Sequence, residues 1–274
     1  MLATITFMTR EIIQGGRRAP PLTRRELEDY HEDLISFCDR HLSLLGDLRG
    51  ADVLYAGGAS PLWLEGLAQR VGEGGSVTAL ELDPGRVEEA GEALRRDGIR
   101  GVRLVAGDVR EPPLEPGSFD LAYSSGLFHE LRGGERGAEA ALESLARLVR
   151  PGGRVATDDF VDRGSPAVQL EEERLLADLE RELSGDELYG IGPPERLVRL
   201  HRRLLGDVRW RLLPPQPLRH LDRLVLSGGE PAGLRRLPLQ SAARFRRRWE
   251  GLRSRIRREG YTRPATLYVE GRAP

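Results

Sequence analysis

Lysine and asparagine are absent from the 274 residues, cysteine occurs once, and aromatic residues make up only 5%. All 42 basic residues are therefore arginine, a bias that a GC-rich genome explains more readily than chemistry does. Without a lysine amine, a Schiff-base mechanism is excluded. The lone Cys38 rules out an internal disulfide framework and a multi-cysteine zinc site, and it fits a reducing compartment. Excess charge of one sign is missing too. The 42 basic and 43 acidic residues leave a formal charge of −1, which removes any global attraction to nucleic acid. The longest uncharged stretch, Val53 to Leu64, contains two glycines and a proline and is too short to cross a bilayer. In the opening MLATITFMTR the positive charge follows the apolar residues, the reverse of a secretory signal. The expectation is a soluble cytoplasmic protein with no membrane span.

What is present is an alternation. After a Gly/Arg/Pro stretch from Gln14 to Pro21, Thr23 caps a predicted helix whose stripe is Leu27, Tyr30, Leu34, Phe37, His41 and Leu45. Short apolar runs then alternate with amphipathic stretches from Asp52 to Asp158, which predicts an α/β fold with a parallel sheet covered on both faces. The expected organisation is an N-terminal helical cap over 1–47, a core over 48–165, a helical lid insertion over 166–205, and 206–274 completing the sheet with an Arg-rich helix. Right-handed crossovers bring the strand C-terminal ends, and any ligand, to one edge.

Three of those strand ends carry chemistry. The first reads Tyr55-Ala56-Gly57-Gly58-Ala59-Ser60-Pro61 before a helix, where glycines allow close backbone approach and the helix start favours negative charge. The second ends at Glu81, a carboxylate able to accept both hydroxyls of a ribose. The third ends at Asp108, whose acid suits the exocyclic amine of a purine. Each feature alone has an ordinary structural reading, as a turn, a solvated strand end or a cap. On three successive strand ends they outline a nucleoside site. A nicotinamide dinucleotide is disfavoured, because the third and sixth loop positions counted from Gly57 are Ala59 and Leu62.

The segments VLYAGGAS, VTALELDP, LVAGDV, SFDLAYSSGLFHEL and LARLVRPGGRV occur in that order over roughly Leu48 to Asp159. In this series the chain resembles the class I S-adenosylmethionine-dependent methyltransferases, most closely the small-molecule branch related to quinone-biosynthesis enzymes. The ending WEGLRSRIRREGYTRPATLYVEGR is similar to small-molecule members as well. The resemblance implies a Rossmann-like, doubly wound sheet of seven strands with an antiparallel last strand, and S-adenosylmethionine as cofactor. It places Gly57, Gly58 and Ala59 near the methionine part, Glu81 with Leu82 at the ribose, Asp108 with Val109 at the adenine, and Ser124 at the end of the fourth strand. The glycine loop departs from the family: Tyr55 stands where an acid is usual, and Ala59 and Pro61 stand where glycines are. Pro61 is tolerable in the first helical turn, where its missing N–H has no partner to lose.

Methyl transfer from a sulfonium is an in-line displacement that chiefly needs alignment and exclusion of water. A base is needed only when the acceptor must lose a proton. His129, just past the fourth strand, is the first candidate for that role because the family motif commonly has a histidine there; Asp159, ending the fifth, is the second. Asp158 is its neighbour, and strand alternation points one of the two acids at the pocket. No metal-ligand spacing is present. The acceptor is expected to be a small molecule, and a homodimer is left open. Two alternatives stand beside this reading: a degenerate cofactor-binding protein without methyl transfer, and an RNA methyltransferase. The latter would use the ten arginines between Arg235 and Arg258, although Phe245, Trp249, Leu252 and Ile256 within them mark a core-facing stripe.

Overall fold

A computed structural model describes residues 22–274. The opening MLATITFMTR and the stretch from Gln14 to Pro21 lie outside the described residues. The first described helix, α1 (Arg24–Ser43), starts at Thr23 with a complete capping box: the Thr23 side chain accepts from the Glu26 N–H, and the Glu26 carboxylate accepts from the Thr23 N–H. Tyr30, Leu34, Phe37 and His41 are buried on one face, as the spacing predicts.

The alternation then follows as β1 (Asp52–Ala56), α2 (Pro61–Val71), β2 (Ser76–Glu81), α3 (Pro84–Arg96), β3 (Val102–Ala106), β4 (Phe119–Ser125), α4 (Gly134–Leu148) and β5 (Val149–Val161). After these come α5 (Ala167–Ser184), α6 (Pro194–Leu204), β6 (Gly206–Leu213), α7 (Leu221–Ser227), α8 (Leu239–Glu259) and β7 (Ala265–Arg272). The seven strands form one sheet in the order β3-β2-β1-β4-β5-β7-β6. Strands β1 to β5 run parallel, whereas β7 is antiparallel to both β5 and β6. This is the seven-strand sheet with an antiparallel last strand that the resemblance implies.

Both faces of the sheet are covered, which is why β1 and β2 are almost continuously buried. On one face α1 and α2 contribute Leu34, Phe37, Leu42, Trp63, Leu64 and Leu67 to the core. On the other, α4 and α6 contribute Leu142, Leu145, Leu148, Leu197 and Leu200. The segment expected to form one lid therefore divides: α6 is a layer of the sheet, because its apolar stripe is wide enough to bury on β6 and β7. Helix α5 instead joins α8 in a separate cluster of Leu175, Leu179, Leu234, Phe245, Trp249 and Leu252. The outer arginines of α8 meet acids: Arg255 pairs with Glu171, Arg248 with Asp178 at 2.9 Å, Arg244 with Glu182 at 3.0 Å and Arg246 with Glu230 at 2.8 Å. Much of the positive face is thus used internally. No helix among the described residues is long and apolar enough to cross a membrane.

Candidate active site

The C-terminal ends of β1, β2, β4 and β5 open onto a cleft of about 200 Å³. Its rim is the turn after β1. Gly57 has φ +81°, and a Cβ there would lie 2.4 Å from Leu127 Cδ1, so both conformation and space demand glycine. Its N–H donates to the Leu80 carbonyl at 2.8 Å, tying the turn to β2. Ser60 is the N-cap of α2 and Pro61 its first residue. The proline thus occupies the first helical turn, where its missing donor is harmless. Glu81 ends β2 at the cleft wall, with Oε1 accepting from the Asp83 N–H at 3.0 Å.

The floor is aromatic and acidic. The Tyr55 ring stacks on Trp63 with centroids 6.2 Å apart, and a Cβ on Gly58 would touch Tyr55 at 3.2 Å. Tyr55 thus stands where the resemblance leads to an acid, and a second buried carboxylate besides Glu81 reaches the cleft from β5. That carboxylate is Asp158, which accepts from Ser125 Oγ at 2.6 Å and from the Tyr123 hydroxyl, with His41 Nδ1 3.3 Å away. Arg263, just before β7, lines the same cleft with its guanidinium 5.5 Å from the Phe37 ring and 5.9 Å from the Phe160 ring. Its buried Nε has no hydrogen-bond partner among the described residues.

Asp159 points to the opposite face from Asp158, as strand alternation requires. There its carboxylate collects four donors: Oδ2 takes the N–H of Phe128 at 2.5 Å and of His129 at 3.3 Å, while Oδ1 takes the N–H of Phe160 at 2.7 Å and Nδ1 of His129 at 2.6 Å. Asp159 thereby fixes both the turn after β4 and the imidazole it carries. Burial alone would lower the His129 pKa, but the charge and hydrogen bond of Asp159, helped by Glu173 and Glu130, raise it to about 10. The ring lies against Phe160, and Nε2 is 3.8 Å from Glu130 Oε1, beyond hydrogen-bond reach.

His129 and Glu130 also line a second cleft of about 490 Å³, opened between the β4 turn, α5 and the segment around Pro231. Its wall combines Leu176, Leu179, Leu183 and Leu188 with Arg236 and the Arg132–Glu180 pair, and Glu173 joins His129 and Glu130 in the lining.

Of the residues expected at a cofactor, Gly57, Gly58, Ala59 and Glu81 line the first cleft. Leu82 is exposed beside it, and Val109 is buried in the sheet-side core. Ser124 is fully buried, with Oγ 3.3 Å from Thr157 Oγ1. Asp108 holds Arg110 through Oδ2 and Nη2 at 2.5 Å. The sequence reading missed Phe37, Trp63, Arg86 and Arg263 as lining residues. For Phe37 and Trp63 the helical stripe was the available signal; for Arg263 nothing local marks it. No cluster of three or more His, Cys, Asp or Glu side chains arranged to hold a metal occurs among the described residues.

Residues 53–153 match a family model described as "Methyltransferase domain". The chain is 32% identical over 141 residues to a ubiquinone/menaquinone biosynthesis C-methyltransferase from Idiomarina loihiensis, covering 48% of this chain and 54% of that protein. It is 34% identical over 120 residues to nocamycin O-methyltransferase from Saccharothrix syringae, covering 42% of this chain and 40% of that protein. The chain thus spans about half the length of the curated relatives it matches. In structure it is similar to a SAM dependent methyltransferase from Aquifex aeolicus, with a TM-score of 0.52 at 16% identity over 86% of this chain and 89% of the other. The glycine turn after β1 and the acidic end of β2 that line the cleft both lie within residues 53–153, the part of the chain that matches the methyltransferase domain.

Proposed function

We propose that the protein transfers a methyl group from S-adenosylmethionine to a small molecule that approaches through the second cleft. The observation that carries this reading is the junction of the two clefts: His129 and Glu130 line both. A donor on the strand ends and an acceptor beneath α5 would therefore meet at one point.

The residues present fit the donor. The Gly57–Gly58–Ala59 turn lines the cleft, with Gly57 at φ +81° and packed so closely on Leu127 that a Cβ would collide with it. Glu81 offers a carboxylate to the ribose hydroxyls, the Tyr55, Trp63 and Phe37 rings give a flat apolar wall, and Asp158 supplies negative charge on the floor. When bound, S-adenosylmethionine supplies an electrophilic methyl carbon on a sulfonium. The chain then has to orient the acceptor, exclude water and hold the proton balance around it. Asp159 positions His129, whose protonated imidazole presents Nε2–H toward the junction. The reading includes a cytoplasmic setting, which the single reduced, buried Cys38 supports.

Calorimetric titration of the purified protein with S-adenosylmethionine, and separately with its product S-adenosylhomocysteine, tests the proposal. Binding of both is expected, with Glu81→Ala weakening it by about 1–3 kcal/mol. No heat with either ligand would remove the methyl-transfer reading, and an unchanged affinity in Glu81→Ala would remove Glu81 from the site.

A further inference from the structure

The polar end of the second cleft is specific about what it can receive. His129 is pinned by Asp159 through Nδ1 at 2.6 Å, so its other nitrogen, Nε2, is the one turned to a ligand. The nearest carboxylate to that nitrogen, on Glu130, lies at 3.8 Å and leaves the donor direction open. Glu173, contributed by α5, lines the same cleft, and its charge acts on His129. Around Glu173 stand His129 from the β4 turn, Glu130 beside it, Asp159 from β5 and Arg263 from the segment before β7. One group at the cleft end thus offers a hydrogen and another offers a lone pair.

We infer that the acceptor is a neutral hydroxyl on an apolar body, bound with its oxygen taking the His129 Nε2–H and its proton facing the Glu173 carboxylate. The inference rests on the proposed methyl transfer and names its acceptor atom. A carboxylate acceptor has no proton to give Glu173, and an ammonium has no lone pair for His129. A hydroxyl satisfies both groups, and the leucines of the wall suit an aromatic or alicyclic frame. In the transfer the hydroxyl oxygen bonds to the methyl carbon, the C–S electron pair stays on sulfur as a thioether, and the hydroxyl proton passes to Glu173. The product is a methyl ether. His129 keeps its proton throughout, because Asp159 holds the imidazole charged; of the two carboxylates beside it Glu130 is exposed and Glu173 is buried, so Glu173 is assigned as the base. Burial raises the Glu173 pKa above the usual carboxylate range, which strengthens it in that role.

The experiment uses the full chain saturated with S-adenosylhomocysteine, so that binding is read without turnover. Calorimetry with 2-naphthol, 2-naphthoate and 2-naphthylmethylammonium compares three ligands that share a frame and differ in the polar group. The expected result is 2-naphthol binding about tenfold or more tighter than either charged probe, with Glu173→Gln and His129→Gln each removing that preference. Glu173→Gln, which lies outside the donor cleft, should keep the wild-type affinity for S-adenosylhomocysteine, which shows that the fold and donor site survive. Turnover with the methyl-labelled donor should give the naphthyl methyl ether, with a rate that rises with pH in the wild type and is flat and at least a hundredfold lower in Glu173→Gln. Failure of 2-naphthol to bind more tightly than the charged probes, including failure to bind at all, would overturn the inference while S-adenosylhomocysteine binding leaves the donor site standing. Failure of S-adenosylhomocysteine itself to bind would overturn the methyl-transfer reading instead.

Discussion

The two sides of the proposed active site are built by different means. The donor side consists of strand ends: the turn after β1, Glu81 at the end of β2 and Asp158 on β5 are placed by neighbouring parallel strands in register. The acceptor side consists of one helix, α5, leaning on another, α8, through a small apolar cluster and a ladder of arginine–acid pairs. The first is rigid because every strand is hydrogen-bonded on both flanks and buried on both faces. The second depends on fewer contacts, several of them solvent-exposed ion pairs that are individually weak. A site of this design can keep its donor geometry while the acceptor wall varies.

The joint between the two sides should be the most sensitive point. Asp159→Asn removes the charge partner of a buried imidazolium and weakens acceptors for three backbone N–H groups. A loss of about 3–5 kcal/mol in chemical denaturation is expected. The pH dependence has a definite sign. Because the folded pKa of His129, about 10, lies above its unfolded value near 6.5, its stabilising contribution is complete below about 6.5 and disappears as pH rises through about 10. Wild-type melting temperature should therefore fall between pH 7 and 10, with a shallower slope in Asp159→Asn.

Next in size is a matched pair of core truncations. Leu142 and Leu252 are both fully buried, one in the sheet-side core and one in the α5–α8 cluster. Each change to Ala should destabilise by about 2–5 kcal/mol if its region belongs to the global folding unit. The comparison predicts that Leu142→Ala lowers global stability by that amount. Leu252→Ala should chiefly speed hydrogen exchange in α5 while S-adenosylhomocysteine affinity holds. Equal exchange in both variants would show that the two sides unfold as one.

Gly57→Val sharpens the donor side. Its φ of +81° and the 2.4 Å approach to Leu127 make any side chain strained. About 1–3 kcal/mol of lost donor affinity is expected by calorimetry, with little change in acceptor-side exchange. The smallest effect belongs to Arg255→Met, which removes the pairs with Glu171 and Glu259. Their partial exposure sets about 0.2–1 kcal/mol, measured by denaturation at 0.15 M salt. That difference should shrink in 1 M salt.

How far the sequence reached follows the same division. The apolar runs of β1 and β2, the helical stripe of α1 and the glycine turn are local patterns, and the structure has them where the spacing predicts. The antiparallel β7 entered through the resemblance, not through any local pattern, since strand direction is not written in a run such as Ala265–Arg272. The segment 166–205 read as one lid because charge and helical period are alike in α5 and α6; which helix buries against the sheet depends on distant partners, β6 and β7 for one and α8 for the other. His129 and Asp159 were visible singly, on adjacent strand ends, but their hydrogen bond was not.

The sequence by itself determined the alternating elements, the caps, the close-approach glycine and the identity of the acids available at the strand ends, because those depend on residues within a few positions of each other. Tertiary structure alone decided that Tyr55 closes the floor while Asp158 supplies its carboxylate, that Arg263 enters from the far end of the chain, and that Glu173 comes to face His129. Each of those juxtapositions is set by packing between segments far apart in sequence, where side-chain volume and the satisfaction of buried charge, not local periodicity, select the arrangement.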